Sequence, residues 1–305
     1  RYLVYRKIGQ GGMASVFLAK VINVAADPIS IMDEGGLWSG GAKEHTHQLS
    51  EELDPWVALK FLHPHHANNP KSVQRFIEEI GVASQLKHPH ICHVLDLGNH
   101  QGVPYLAMPY LRGQVVSQLI YEEEAPQVPL VVAVSIAIDL AEGLSHAHSL
   151  ADSEGRPLNL IHRDISPHNA FVEYSGVAKV LDFGIARIKS QQRRTTTGHT
   201  LGKIAYMAPE QFDDKNVDQR ADLWALSVTL WELFTQSPLF EGTHQMKTMY
   251  QIINAPLSPP SEHREDVPEE IDRVVIDGLS RDLDHRTPTA ISWSAPLVQW
   301  IEAQG

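Results

Sequence analysis

Asp164 and Asn169 stand five positions apart in the run His162-Arg163-Asp164-Ile165-Ser166-Pro167-His168-Asn169. A tight, proline-containing loop can turn both side chains toward one cavity. Asp182, opening Asp182-Phe183-Gly184 on the hairpin expected to follow, can join them. Two hard oxygen-donor groups plus phosphate oxygens are what Mg²⁺ selects, because that ion keeps several waters and takes few protein ligands. A fold for this chain has to deliver that loop and that hairpin to the same cavity.

A second group of residues belongs to phosphate chemistry. Gly9-Gln10-Gly11-Gly12-Met13-Ala14-Ser15-Val16 interrupts β-prone residues, and glycines let backbone N–H groups cover a phosphate chain without side-chain interference. A dinucleotide site needs a helix after the glycines, whereas the residues after Val16 again read as a strand, so that reading loses. Val57-Ala58-Leu59-Lys60 ends an apolar strand in a lysine. Residues 71–87 carry Val73, Phe76, Ile77, Ile80, Ala83 and Leu86 at helical spacing, which places Glu79 inside the stripe and Glu78 opposite it. An inward carboxylate wants a cation, and Lys60 is the one expected. The plain alternative is a strand-edge lysine reaching water.

With 305 residues, the chain should bury about three-quarters of its unfolded surface, at a size where single cores stop growing. Two lobes are therefore expected. The 43% hydrophobic and 20% charged content excludes wholesale disorder. Lys+Arg of 25 against Asp+Glu of 37 leaves a net charge of −12, which disfavours nucleic acid and anionic membrane as partners. Cys92, the single cysteine, has no intrachain partner, in keeping with a reducing compartment. The apolar stretches at 130–138 and 223–234 are shorter than the ~18–20 residues that span a bilayer, so no membrane segment is expected. The start at Arg1 suggests an excised domain.

Along the chain, residues 2–8, 16–24, 57–62, 92–97 and 105–108 read as strands. Residues 25–55, with Gly35-Gly36, Gly40-Gly41 and an acidic patch at Glu51, Glu52 and Asp54, read as a long inserted loop. A disordered elaboration is expected there, with Trp38 the one residue suited to anchor a partner. Helices are expected at 130–150, 220–235, 247–254, 268–280 and in a last segment to 303. The histidine groups His63, His65 and His66, and His88, His90 and His93, lack the ligand spacing of a metal site and read as surface residues.

Taken in order, the glycine loop, Val57-Ala58-Leu59-Lys60, Glu79, His162-Arg163-Asp164 with Asn169, Asp182-Phe183-Gly184 and Ala208-Pro209-Glu210 resemble a eukaryotic-like (Hanks-type) bacterial serine/threonine protein kinase catalytic domain. The resemblance runs from about Tyr5 to Arg286. It implies an α+β, two-lobed protein-kinase-like fold: a small β-rich N-lobe (1–108) with one key helix, a hinge (109–113) and a larger, mostly helical C-lobe (114–305). It implies ATP with Mg²⁺ or Mn²⁺, transfer of the γ-phosphoryl to Ser/Thr hydroxyls of protein substrates, itself included, and a cytoplasmic domain whose full-length protein is open to membrane tethering.

By the same resemblance, Gly9, Gln10, Gly11, Gly12, Val16, Ala58, Met108, Pro109 and Leu111 would surround the nucleotide, with the Pro109 carbonyl and the Leu111 N–H as hinge groups. Lys60 would hold the α- and β-phosphates, fixed by Glu79. Asp182 and Asn169 would bind the metal ions, and Asp164 would orient the substrate hydroxyl and take its proton. His162 would pack beneath Phe183, and Arg286 would pair with Glu210. Arg163 before Asp164 implies activation by loop phosphorylation, with Thr195, Thr196, Thr197 and Thr200 as candidates.

Two departures stand out. Ser166 occupies the place of a lysine that touches the γ-phosphate, and Lys203 the place of a threonine beside that lysine. Ammonium and hydroxyl have thus exchanged positions, and Lys203 is expected to reach Asp164. The alternatives are a nucleotide-binding scaffold of the pseudokinase type and a small-molecule phosphotransferase. Retention of Lys60, Glu79, Asp164, Asn169 and Asp182 weighs against the first, and the long segment ending in Ala208-Pro209-Glu210 against the second.

Overall fold

Strand-forming residues gather in the first third of the chain and helix-forming ones after it, and the computed structural model resolves them into two units. One comprises residues 1–87 and 92–111, the other residues 88–91 and 112–305. The residues described are 2–12, 14–22, 29–33, 36–38, 55–123, 125–182, 201–213 and 217–304.

In the first unit, β1 (Tyr2–Gln10) and β2 (Ala14–Val21) form a hairpin closed at the glycines by Gly11 N–H donating to the Ala14 carbonyl at 2.8 Å. Next in chain order come β3 (Ile29–Asp33), β4 (Gly36–Trp38), β5 (Trp56–Leu62), α1 (Pro64–Ala67), α2 (Pro70–Ala83), β6 (Asp96–His100) and β7 (Val103–Pro109). The strands make one sheet in the order β4-β3-β1-β2-β5-β7-β6. The insert at 25–55 is therefore more than a loop: β3 runs parallel to β1, and β4 folds back on β3. The side chain of Trp38 lies outside the described residues.

Successive side chains point to opposite faces of a strand, so register sorts this sheet into two surfaces. Val16 pairs with Lys60 and Lys60 with Leu106, while Leu18 pairs with Ala58 and Ala58 with Met108. Val16, Ala58, Lys60 and Met108 thus share one face. On that face Leu62 meets Phe76 and Ile80 of α2 in a small core. Ile77, expected in the α2 stripe, sits at its margin and is 46% exposed. The other face carries Tyr2, Val4, Ala19, Val57, Leu59, Tyr105 and Ala107 as a second core, with Phe17 and Phe61 against it.

The expected strand at 92–97 is displaced to Asp96–His100. Gln101 and Gly102, at φ 50° and 84°, form the two-residue turn that sets His100 opposite Val103, and the strand is counted back from there.

The second unit is built from α3 (Val116–Tyr121), α4 (Leu130–His148), α5 (Leu201–Ile204), α6 (Arg220–Thr235), α7 (Gln245–Asn254), α8 (Glu269–Gly278) and α9 (Ala290–Gln304). A three-stranded sheet orders β10 (Ala178–Val180), β9 (Ala170–Glu173) and β8 (Gly113–Val115). Helix α6 is its axis: every residue from Ala221 to Phe234 is buried. Helices α3, α4 and α8 pack around it, and α9 closes over α4 and α8. Gly278 permits this closeness, because a Cβ there would lie 2.0 Å from Ser227 Oγ.

Helix α4 matches the helix expected at 130–150 to within two residues, and its apolar character extends beyond the stretch at 130–138. Its 19 residues have a mean hydropathy of 1.6 over an 18-residue window, enough by length and composition to cross a bilayer. Half of that window is buried inside this unit.

Candidate active site

The catalytic-loop candidates lie between α4 and β9, on backbone held by one carboxylate. Asp222 opens the first turn of α6 and is 1% exposed. Its Oδ2 accepts from His162 N–H at 2.8 Å and its Oδ1 from Arg163 N–H at 2.7 Å, while His148 Nε2 lies 2.8 Å from Oδ2. Burial alone would raise this carboxyl's pKa. The hydrogen bond and charge of His148, with the backbone donors, overcome that and hold it below the usual range. Arg163 sits at φ 63°, a left-handed conformation costing on the order of 1–3 kcal/mol in a non-glycine residue, and the Asp222 fork keeps it there.

His162 braces the same loop from inside. It is fully buried, its Nδ1 accepts from Asp164 N–H at 3.2 Å, and its Nε2 lies 3.0 Å from the Leu181 carbonyl. Those partners assign the proton to Nε2. The ring spans the loop and the strand end that leads to Asp182. The expected packing beneath Phe183 falls outside the described residues.

The reacting side chains follow. Asn169 Nδ2 donates to the Asp164 carbonyl at 2.7 Å and to Asp164 Oδ2 at 3.1 Å. Lys203 Nζ donates to the same Oδ2 at 2.6 Å. Ser166 is extended, as suits a residue before proline, and 4% exposed. Pro167–Asn169 then makes a single tight helical turn. The Leu181 N–H donates to the Asn169 carbonyl at 2.8 Å, so the residue preceding Asp182 is tied to Asn169.

With its amide nitrogen committed to Asp164, Asn169 presents Oδ1, which accepts no hydrogen bond among the described residues. A carbonyl-type oxygen and the Asp182 carboxylate form a hard donor set suited to a divalent ion that keeps waters and phosphate ligands. In the first unit, the glycine hairpin places Val16 directly across from Lys60. The side chain of Glu79, and with it the expected Lys60–Glu79 pair, lies outside the described residues. So do Thr195, Thr196, Thr197 and Thr200.

Behind the loop, Glu210 and Arg286 form the expected pair. Arg286 Nη1 and Nη2 donate to Glu210 Oε1 and Oε2 at 2.6 and 3.0 Å. The guanidinium is fully buried, lies 5.1 Å from the Trp224 ring centre and also donates to the Ser280 carbonyl. A further buried carboxylate was not anticipated. Glu232 of α6 accepts from Tyr121 at 2.7 Å and from Tyr206 at 2.8 Å, and burial pushes its pKa up to about 7. A glutamate inside the apolar run 223–234 was the available signal.

A seven-stranded sheet bearing a glycine hairpin and a lysine, together with a helical unit whose buried axis holds an Asp/Asn loop, defines a phosphotransferase of the protein-kinase fold. The protein kinase domain model matches residues 39–295, and the chain belongs to that family. Tyrosine-protein kinase MasK of Myxococcus xanthus (strain DK1622) is 36% identical over 302 residues, covering 98% of this chain and 43% of that protein. Serine/threonine-protein kinase PrkC of Bacillus subtilis (strain 168) is 29% identical over 303 residues, covering 99% and 41%. The chain thus spans about two-fifths of these relatives' length. The crystal structure of the Mycobacterium tuberculosis PknI kinase domain superposes with a TM-score of 0.65 at 27% identity, covering 98% of this chain and 94% of that one. The family's domain uses ATP and a divalent metal.

Proposed function

We propose that this domain transfers the γ-phosphoryl group of ATP to serine and threonine hydroxyls of protein substrates, itself included, with Mg²⁺ as the metal. The observation that carries the reading is the state of Asp164: its carboxylate is gripped by Asn169 and by Lys203 at 2.6 Å. A hydroxyl needs an oriented acceptor for its proton and a positive charge near the transferring phosphoryl, and this pair supplies both. Asp164 accepts the substrate proton, late in a loose transition state that relies on positioning more than on base strength. Lys203 takes the part of the absent catalytic-loop lysine and compensates charge on the γ-phosphoryl.

Lys60 holds the α- and β-phosphates, and Asn169 Oδ1 and the Asp182 carboxylate hold the metal. When bound, the ion neutralises charge on the phosphate oxygens. Val16, Ala58 and Met108, on the face that also bears Lys60, give the adenine an apolar bed, with the Pro109 carbonyl and the Leu111 N–H at its edge.

The test is incubation with labelled ATP and Mg²⁺, wild type beside Asp182→Ala, followed by phosphoamino-acid analysis. Phosphoserine or phosphothreonine in the wild type alone is the expected outcome. Binding of ATP without transfer would overturn the activity, and label confined to phosphotyrosine would overturn the acceptor preference.

A further inference from the structure

Opposite the face that bears Lys60, the sheet of the first unit borders an open cavity of about 500 Å³. Register puts Ser15, Phe17 and Phe61 on that side, because Ser15 pairs with Phe61 and both alternate with Val16 and Lys60. Val4, Val103 and His100 complete the lining used here. The volume falls in the range of small-molecule sites, about 300–1,000 Å³, and like them it is mostly apolar with few polar groups.

His100 is what separates this cavity from a packing defect. Its side chain is 7% exposed, and its ring makes no hydrogen bond among the described residues. Its ring nitrogens are not sealed off, so an occupant of the cavity can take over the hydrogen bonding that water supplies there. Phe17 and Phe61 stand nearly perpendicular, their ring centres 5.8 Å apart. Such a pair can add an aromatic guest edge-on or offset-stacked.

We propose that this cavity is a ligand site for an uncharged aromatic molecule bearing one hydroxyl, its ring held by Phe17 and Phe61 and its hydroxyl by His100. Burial lowers the pKa of His100, so the neutral ring offers one donor and one acceptor, which matches a hydroxyl. A carboxylate or phosphate head would have to shed its water against that uncharged ring. His63 also lines the cavity, and its Nε2 lies 3.0 Å from the Gly11 carbonyl of the glycine turn. An occupant therefore rests on the two strands that carry Val16 and Lys60 on their far side. Any effect on nucleotide affinity depends on the function proposed above, whereas binding does not.

The probe is naphthol, titrated into the domain without nucleotide and followed by calorimetry and by the methyl resonances of Val4 and Val103. Binding with a dissociation constant on the order of 0.1 mM is expected, with both methyl groups shifted. His100→Phe, which keeps the apolar volume, should weaken it about tenfold. Val103→Trp, which fills the space, should abolish it. Naphthalene carboxylate binding as tightly as naphthol would overturn the neutral head group. Absent binding, or wild-type methyl resonances that stay unmoved while naphthol binds, would overturn the site, and neither result bears on phosphoryl transfer.

Discussion

Lys203 is 51% exposed and Asp164 34%, so their ion pair contributes little to stability, and its value is positional. Losing a charge that acts on the transition state costs on the order of a hundred- to a thousandfold in rate. Lys203→Ala should fall by that much in kcat while nucleotide affinity stays within about threefold. The double variant Ser166→Lys with Lys203→Thr should recover most of the loss. A Lys203→Ala enzyme as fast as the wild type, in steady-state phosphorylation of a peptide, would remove Lys203 from the mechanism.

Glu232 poses the opposite case of a charge sealed from water. Between its ordinary pKa of 4.5 and its folded value of about 7, the folded protein keeps a proton that the unfolded chain has released. Stability from this group is therefore full below about pH 4.5, falls as pH rises through that window, and levels off above it. The total change is at most about 3 kcal/mol. Urea unfolding of wild type and Glu232→Gln at about pH 5 and about pH 8 checks this. The difference between them should move toward the variant at the higher pH.

Among the elements, α6 was the most legible, because the run from Leu223 to Phe234, apolar but for Ser227, Thr229 and Glu232 and too short to span a bilayer, reads as a buried axis. What the run cannot express is its polar business. Asp222 takes its partners from residues sixty positions away, and Glu232 reaches Tyr121 across a still longer separation. Such contacts leave no periodicity to read. Residues 96–100, Asp-Leu-Gly-Asn-His, carry no β-branched residue, so their strand exists because the neighbouring turn sets its register. Lys203 was placed correctly beside Asp164 because its unusual position in an ordered motif set implied a compensating partner. The Glu210–Arg286 pair, joining the segment after α5 to the chain before α9, is equally element-defining. Removing one member of a buried pair leaves the other uncompensated, at about 3–5 kcal/mol. Glu210→Ala and Arg286→Met should each lower unfolding free energy by that order in guanidinium titrations. The double variant should lose less than their sum.

At the scale of the whole molecule, each unit has its own core, so one cooperative transition is not required of this chain. The proposed function assigns the phosphates to Lys60 on β5 and the metal to Asn169 and Asp182. A ligand that binds only the folded state stabilises by mass action, about 2.7 kcal/mol at a hundred times its dissociation constant. On that reading, ATP with Mg²⁺ should raise the melting temperature of the wild type. Lys60→Met and Asp182→Ala should each abolish most of that rise while leaving the ligand-free melting temperatures nearly unchanged. Differential scanning calorimetry with and without nucleotide reads both quantities. A full shift retained in Lys60→Met would mean that the glycine-hairpin unit does not hold the phosphates, and the assignment of Lys60 would fall while that of Asp164 and Lys203 stood.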